Sequence, residues 1–411
     1  MQPKIYTFQE HQIPVKKIDR HAYYVIQKLR QAGFEAYLVG GSVRDLLLNR
    51  KPKDFDISTS ARPEEIKSLF RNCLLIGKRF RLAHIRFGKK LLEVSTFRSG
   101  DPTKEDLILR DNAWGSAEED VLRRDFTING LYYDPENETV IDYVGGVEDA
   151  KGKTLRTIGK AETRFRQDPV RMIRLLKFKA RFDFIVDPLS MEALYECKEE
   201  IIKSSQARIL EELLRMLESG SSSPFFRYLY DYGLLELLLK NLAKHLQQPS
   251  IHTQIFSYLD EVDNKSWQDL TKSLERPVLL CCLLFPILHQ QIMMSIKDNQ
   301  KQLHLGHIAK TSTELIHNVF HPFFHIPKKM KAIMVSILTS QFRFTPLQKK
   351  QVKRLRIPRD PFFSLGLKFF KLRVTVEPEH LKSYTEWSEA MFQYKKGKPH
   401  ARSKKVNLQR P

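Results

Sequence analysis

With 411 residues the chain is too long for one ordinary core, so two or more domains are expected. Its 69 Lys and Arg against 48 Asp and Glu leave a formal charge of +21, which points to a polyanionic partner, nucleic acid or an acidic membrane surface. Cys73, Cys197, Cys281 and Cys282 form no CxxC pair, which argues against a zinc site or a disulfide framework and fits a reducing cytoplasm.

In chain order, Met1 to Arg20 is polar and mixed in charge, unlike a signal peptide. Leu29 to Gly33 closes a helix. Ala36 to Val39 reads as a strand, Ser42 to Leu48 as a helix, Asp54 to Ser58 as a strand and Pro63 to Phe70 as a helix. Arg81 to Phe87 and Leu91 to Phe97 are strand-like, joined by a tight hairpin at Gly88-Lys89-Lys90. From about residue 150 the pattern is almost wholly helical. Asp168 to Phe182 is a basic helix carrying Arg171, Arg174, Lys177, Lys179 and Arg181. Ile209, Leu213, Leu214 and Leu217, then Phe225, Leu229, Leu234 and Leu237, recur near a 3.6-residue period and read as core stripes. Pro277 to Leu288, the longest apolar stretch, falls short of the roughly 20 residues that span a bilayer and reads as a buried helix. From Gln341 onward 18 Lys and Arg face 5 Asp and Glu. The end, Tyr394 to Pro411, lacks apolar periodicity and is expected to be disordered until it meets a partner.

Chemistry concentrates early in the chain. In Lys53-Asp54-Phe55-Asp56-Ile57, strand alternation puts Asp54 and Asp56 on one face and Phe55 and Ile57 in the core. Two carboxylates so placed repel unless a cation lies between them, and hard oxygen ligands suit Mg²⁺ carrying a nucleoside triphosphate. An isolated DxD is more often a solvated turn. Here Gly40-Gly41-Ser42 precedes it between strand and helix, where glycines let backbone N–H groups approach a phosphate, and Arg44 and Asp45 follow on the first turn. A glycine turn with a serine cap is the plain alternative; together the two motifs favour a triphosphate site. Arg123 and Arg124 beside Asp125 can clamp triphosphate and ribose, or form a surface ion-pair cluster. Asn129 can hold a ribose hydroxyl. Asp168 and Arg171, three apart, can pair with the edge of a base or with each other.

Gly40-Gly41-Ser42-Val43-Arg44-Asp45 with Asp54-Phe55-Asp56 resembles the signature of the DNA polymerase β-like superfamily. With Arg123 to Gly130 and Asp168 to Arg174 it resembles class II tRNA nucleotidyltransferases and bacterial poly(A) polymerases, over roughly residues 25 to 240. The resemblance implies an α+β chain: a nucleotidyltransferase head with a small mixed sheet flanked by helices, then an all-α neck, body and basic tail. Residues 1–20 are then an N-terminal extension, 21–155 the head, 156–220 the neck, 221–393 an RNA-binding body and 394–411 the tail. Asp54 and Asp56 would hold two Mg²⁺ ions, with Mn²⁺ an alternative. Gly40, Gly41, Ser42, Arg44, Asp45, Arg124 and Asn129 would seat ATP, with Asp168, Arg171 and Arg174 at its base. Asp125 and Glu93 compete as the third active-site acid, Asp125 ranked slightly higher as a functional residue and Glu93 as support for the metals, with packing and ion pairing the plain alternative for either.

Two segments, Leu75 to Ile85 and Leu109 to Asp120, resemble bacterial poly(A) polymerases where these differ from CCA-adding enzymes. Arg79 and Arg81 would lie on one face of a strand adjacent to the catalytic strand, where cations meet RNA, or would form a basic edge that blocks aggregation. Lys177 and Arg181 in the neck and Lys353, Arg354 and Arg356 near the end would grip RNA phosphates. The loop from Ser99 to Leu107 looks abbreviated beside longer family members. The expected activity is addition of AMP from ATP to RNA 3′ ends by a cytoplasmic monomer, with RNA turnover and RNA-decay proteins as its setting. CCA addition, or RNA binding without catalysis, are the alternatives.

Overall fold

The computed structural model describes residues 2–77, 81–99, 113–264, 274–299, 304–347 and 355–396. The chain divides into two compact units, the first formed by residues 1–209 with 231–234, the second by 210–230 with 235–411.

The first unit is built on an eight-stranded mixed sheet in the order β1-β8-β7-β2-β3-β6-β5-β4, with β1 Lys4–Tyr6, β2 Ala36–Val39, β3 Asp56–Thr59, β4 Cys73–Ile76, β5 Leu82–Phe87, β6 Lys90–Thr96, β7 Leu131–Asp134 and β8 Thr139–Asp142. Residues 1–20 are therefore no separate extension, since β1 pairs with β8 at one edge of the sheet. Only β3 and β6 among these pairs run parallel. A two-residue turn joins β5 to β6, Phe87 pairing with Lys90, and Gly88 at φ +60° supplies the left-handed residue such a turn needs.

Period-2 alternation sorts the sheet's side chains onto two faces. Leu38, Ile57, Val94, Ile85 and Tyr133 enter one core, against which the Arg20–Gln31 helix lays Ala22, Val25, Ile26 and Leu29. Each such Val, Ile or Leu contributes about 1.5–3 kcal/mol when fully buried. Asp19 caps that helix, its carboxylate accepting from the backbone N–H groups of His21 and Ala22, and the cap adds about 1 kcal/mol. Val39 and Tyr132, the alternate residues, face a smaller cluster with Phe97, Val121 and Ile158. Asp56, paired with Val39, lies on this second face. The strand starts at Asp56, so Asp54 precedes it and the expected shared strand face for the two aspartates is not formed.

Helices of the first unit include Gly41–Leu47, Ala117–Leu122, Ala161–Gln167 and Val170–Phe182. Two short strands, Thr154–Leu155 and Ile185–Val186, flank the last two of these in the chain and pair in parallel, and the regular elements described beyond them are helices. The stripe expected to run from Phe225 to Leu237 is split into Ser222–Asp231 and Leu234–Leu238, because Gly233 takes φ +79° between them. The Arg276–Asn299 helix is the buried element expected from Pro277 to Leu288. Its window Arg276–Lys297 is long and apolar enough to cross a membrane, yet Val278 through Phe285 are all nearly inaccessible within the second unit, as in a core helix. Helix Leu381–Lys396 runs through Tyr394, so the start of the expected tail is structured; residues 397–411 lie outside the described ones.

Candidate active site

The turn after β2 opens the site. Gly40 has φ +68°, a conformation open to glycine at little cost, and a Cβ there would lie 3.3 Å from Nη1 of Arg124. Gly41 begins the short helix, and a Cβ on it would stand 3.5 Å from Nη2 of Arg44. Bare backbone therefore faces two guanidinium groups. Ser42 is buried and donates its hydroxyl to the Val39 carbonyl, so its side chain closes the turn.

Arg44, expected to meet the triphosphate, is itself buried and forked. It donates to the Asp45 carboxylate at 2.7 and 3.0 Å and to the Asn129 side-chain oxygen at 2.6 Å, and it lies 4.5 Å from the ring centre of Phe182. Asn129 passes the link on, its amide donating to Asp125 at 3.0 Å. Asp125 also accepts from the Phe126 N–H at 2.9 Å and is paired with Arg174 at 2.8 Å. Burial pushes its carboxyl up, but Arg174 and these hydrogen bonds outweigh burial and hold it below the ordinary range. Asp125 is thus a fully engaged anchor.

Glu93 stands elsewhere. The parallel register sets Ile57 beside Val94, which puts Asp56 beside Glu93 on the site face. The Asp56 carboxyl is pushed up to about 6, first by burial, then by the charges of Glu93 and Asp54, with Arg124 opposing. Asp125 is not among the charges that move it. Of the two candidate acids, Glu93 is the one that neighbours Asp56, as expected of a residue supporting the metals, whereas Asp125 is tied to Arg174 and Asn129. The charges of Glu93 and Asp54 disfavour the Asp56 carboxylate, and hard oxygen donors of this kind suit a divalent cation, which would relieve that repulsion; as the side chains stand, the three donor atoms do not all lie within 4.8 Å of one another. By contrast, Glu377, Glu379 and His380 in the second unit bring their donor atoms within 4.8 Å of one another, yet Glu377 already bonds Arg373 and Tyr258, each at 2.7 Å. That cluster is neutralised from within.

Arg124 is fixed by Asp120, which the sequence reading passed over. One Asp120 oxygen accepts from Arg124 and from the Tyr132 hydroxyl, each at 2.8 Å, and Arg124 reaches Ser58 at 3.2 Å. Burial disfavours the Arg124 charge, but the Asp120 carboxylate and Tyr132 more than restore it. The i,i+4 spacing of Asp120 and Arg124 is a signal in the sequence.

Of the two arrangements expected of the neck residues, pairing of Asp168 with Arg171 is not formed, and both line the cavity of the site. Asp168 lies just before the Val170–Phe182 helix and is clasped by Arg208 through both oxygens, at 2.9 and 2.8 Å. Arg171 donates to the carbonyls of Arg123 and Arg124 at 2.7 and 3.1 Å, and buried Arg164 donates to the Arg124 carbonyl at 3.0 Å. Arg164 and Arg208 also went unnoticed, since their partners lie 40 residues away in the chain.

These groups enclose a cavity of about 400 Å³. Gly40, Gly41 and Asp56 line one side, Asn129 and Asp125 another, and Asp168, Arg171, Arg174, Lys177 and Arg181 come from the neck. Seven cationic side chains against three carboxylates leave it strongly positive. Burial and then neighbouring cations pull Arg123 down to about 10 and Arg164, outside the cavity lining, to about 9, and burial lowers Arg171 and Arg181. A polyanion the size of a nucleoside triphosphate matches such a cavity.

Arg81 is not beside the catalytic strand. It precedes β5, which β6 separates from β3, and it is paired with Glu64. Arg356 is exposed in the second unit. Arg79, Lys353 and Arg354, with the loop from residue 100 to 112, lie outside the described residues.

Residues 36–156 match the family model of the poly A polymerase head domain, and residues 183–246 match that described as the probable RNA and SrmB-binding site of polymerase A. Poly(A) polymerase I of Salmonella typhi is 34% identical over 396 residues, 92% of this chain and 83% of that protein. A CCA-adding enzyme of Lactobacillus helveticus is 39% identical over 214 residues, about half of each chain. The crystal structure of a tRNA nucleotidyltransferase complexed with a primer tRNA and an incoming ATP analog superimposes with TM-score 0.60 over 90% of this chain and 99% of that one, at 22% identity, a likeness of fold. Because likeness to poly(A) polymerase I covers 92% of the chain, while likeness to the CCA-adding enzyme covers 52% of it, the chain belongs to the poly(A) polymerase family of polynucleotide adenylyltransferases.

Proposed function

We propose that the protein adds AMP from ATP to RNA 3′ ends without a template, releasing pyrophosphate. The observation that carries the reading is a strongly cationic cavity with the Asp56 carboxylate in its lining and Glu93 beside Asp56 on the next strand. Arg124, held rigid by Asp120, presents its guanidinium to the triphosphate beside the bare Gly40–Gly41 backbone. Arg174, Lys177 and Arg181 add charge from the neck side and keep the polyphosphate in one orientation. Asp54, Asp56 and Glu93 are the residues that would hold Mg²⁺ or Mn²⁺. Two such ions would lower the pKa of the attacking 3′-hydroxyl and neutralise the pyrophosphate as it leaves.

Base selection falls to the neck, where Asp168 and Arg171 lie on the cavity wall with their groups engaged by Arg208 and by backbone carbonyls. A pocket braced in this way accepts one base shape better than several, which suits an enzyme that uses ATP alone. Lys353, Arg354 and Arg356, with the other basic residues of the last 71, would hold RNA through its phosphates. RNA turnover is the setting this activity fits.

Incubating the purified protein with end-labelled RNA, divalent cation and each nucleotide in turn tests the reading. Long ladders with ATP alone are expected. Addition of one to three residues confined to tRNA-like ends would instead make it a CCA-adding enzyme, the activity named for the relatives matched over about half their length. Incorporation that survives Asp54→Ala and Asp56→Ala would overturn both.

A further inference from the structure

Strand register carries the Asp56 row across the sheet. Asp56 stands beside Glu93 of β6, Glu93 pairs with His84 of β5, and His84 pairs with Leu74 of β4. Paired residues share a face, so two carboxylates, an imidazole and an aliphatic side chain form one line. His84 Nε2 lies 3.6 Å from the Glu93 carboxylate. Ile76 and Leu91 lie on the same face in neighbouring rows, with Arg86 opposite Leu91. Leu74, Ile76 and Leu91 are 63%, 43% and 46% exposed, whereas Cys73 and Leu75, which alternate with the first two, pack against the core. A partly apolar stretch of sheet, exposed at Leu74, Ile76 and Leu91 and with the His84 side chain 16% exposed between them, therefore begins where the catalytic carboxylates end. The cationic cavity lies on the other side of Asp56, formed by the turn after β2 and the segment Arg123 to Asn129 before β7.

We propose that this face, centred on His84 with Leu74 and Ile76, seats the 3′-terminal nucleoside of the RNA acceptor. The inference rests on the nucleotidyl-transfer reading of the Asp56 site. In an in-line displacement the attacking oxygen and the leaving pyrophosphate lie on opposite sides of the transferred phosphorus. With the triphosphate in the cavity on the β2 side, the 3′-hydroxyl arrives from the β6 side, and the nucleoside that carries it lies over β6, β5 and β4. Strands are about 4.8 Å apart, so His84 and Leu74 stand roughly 10 and 15 Å from the Asp56 strand, within reach of one nucleoside and its phosphate. An imidazole and aliphatic side chains offer stacking and apolar contact that every base can use. Such contact suits an acceptor end that must be gripped again after each addition. Exposed Arg86 supplies a cation for the preceding phosphate.

The test uses the full chain and 5′-labelled hexa-adenylate, a primer too short to depend on distant contacts. Leu74→Asp, Leu74→Ala and His84→Ala are compared with Ile5→Asp, a control at an exposed isoleucine on β1, the opposite edge of the same sheet. The first three are expected to raise the KM for hexa-adenylate about tenfold or more at unchanged KM for ATP, Leu74→Ala least. The dissociation constant of the same primer, read by fluorescence anisotropy in EDTA, should rise by a similar factor, and the control should match wild type in both. Wild-type primer affinity in Leu74→Asp and His84→Ala would overturn the proposal, as would an equal rise in the KM for ATP. If Asp56→Asn abolishes incorporation while those variants bind primer normally, only the acceptor face is lost; if Asp56→Asn retains incorporation, the catalytic reading itself falls.

Discussion

Asp56 is the residue on which burial and charge bear most directly. Its carboxyl is pushed up to about 6 by burial, then by Glu93 and Asp54. An acid raised above its unfolded value weighs nothing against the fold below about pH 4, where both states hold the proton; the cost grows between about pH 4 and 6 and is constant above. Asp56→Asn should therefore stabilise the protein in EDTA by up to about 3 kcal/mol at pH 7.5 and by little at pH 4, measured by urea unfolding at both. The same substitution should abolish incorporation. Because a cation and a proton compete for Asp56, incorporation in the wild type should fall as pH drops through about 6. Asp54, Asp56 and Glu93 were legible in the sequence as acids on or beside strands, because strand alternation is a local property. That Glu93 rather than Asp125 neighbours Asp56 was not legible, since it depends on which strand β3 pairs with and in which direction. The engagement of Asp168 by Arg208 and of Arg171 by two carbonyls likewise joins segments 40 or more residues apart.

At the level of elements, the strand–glycine turn–helix unit from Ala36 to Leu47 came out close to its expected bounds, because hydrophobic alternation and a Gly-Gly break are strong short-range signals. Gly40 tests the unit. Gly40→Ala places a Cβ at φ +68° and 3.3 Å from Arg124 Nη1. It should lower stability by about 1–2 kcal/mol in thermal or urea unfolding and raise the KM for ATP more than it lowers kcat. Unchanged KM for ATP would mean that the turn shapes the fold without touching nucleotide. Elements were less legible where one glycine or one edge pairing decided them. The helical period from Phe225 to Leu237 concealed a break at Gly233, and the polar first residues concealed β1, a three-residue strand whose stability comes from pairing with β8.

For the whole molecule, the net charge of +21 makes a prediction independent of any single residue. Binding of single-stranded RNA should weaken steeply with salt, the logarithm of the association constant falling by about 0.7 per phosphate contacted for each decade of salt, whereas the KM for ATP should respond less. Filter binding between 50 and 300 mM KCl, with steady-state kinetics alongside, measures both; a flat salt response would remove the basic residues from RNA binding. The sequence by itself determined the class of the molecule: an α+β head ahead of a helical remainder, a carboxylate pair next to a phosphate-ready turn, and an excess of cations. Those features are set by periodicity, glycine conformation and composition, all readable within a few residues. Only the tertiary structure decided that Glu93 neighbours Asp56, that Asp120 and Arg164 brace Arg124, that Arg208 holds Asp168, and that a row of side chains runs from the carboxylates across His84 to exposed Leu74 on β4. Each of those rests on strand order, register or burial, which arise when distant segments exclude water together and which no local window of sequence contains.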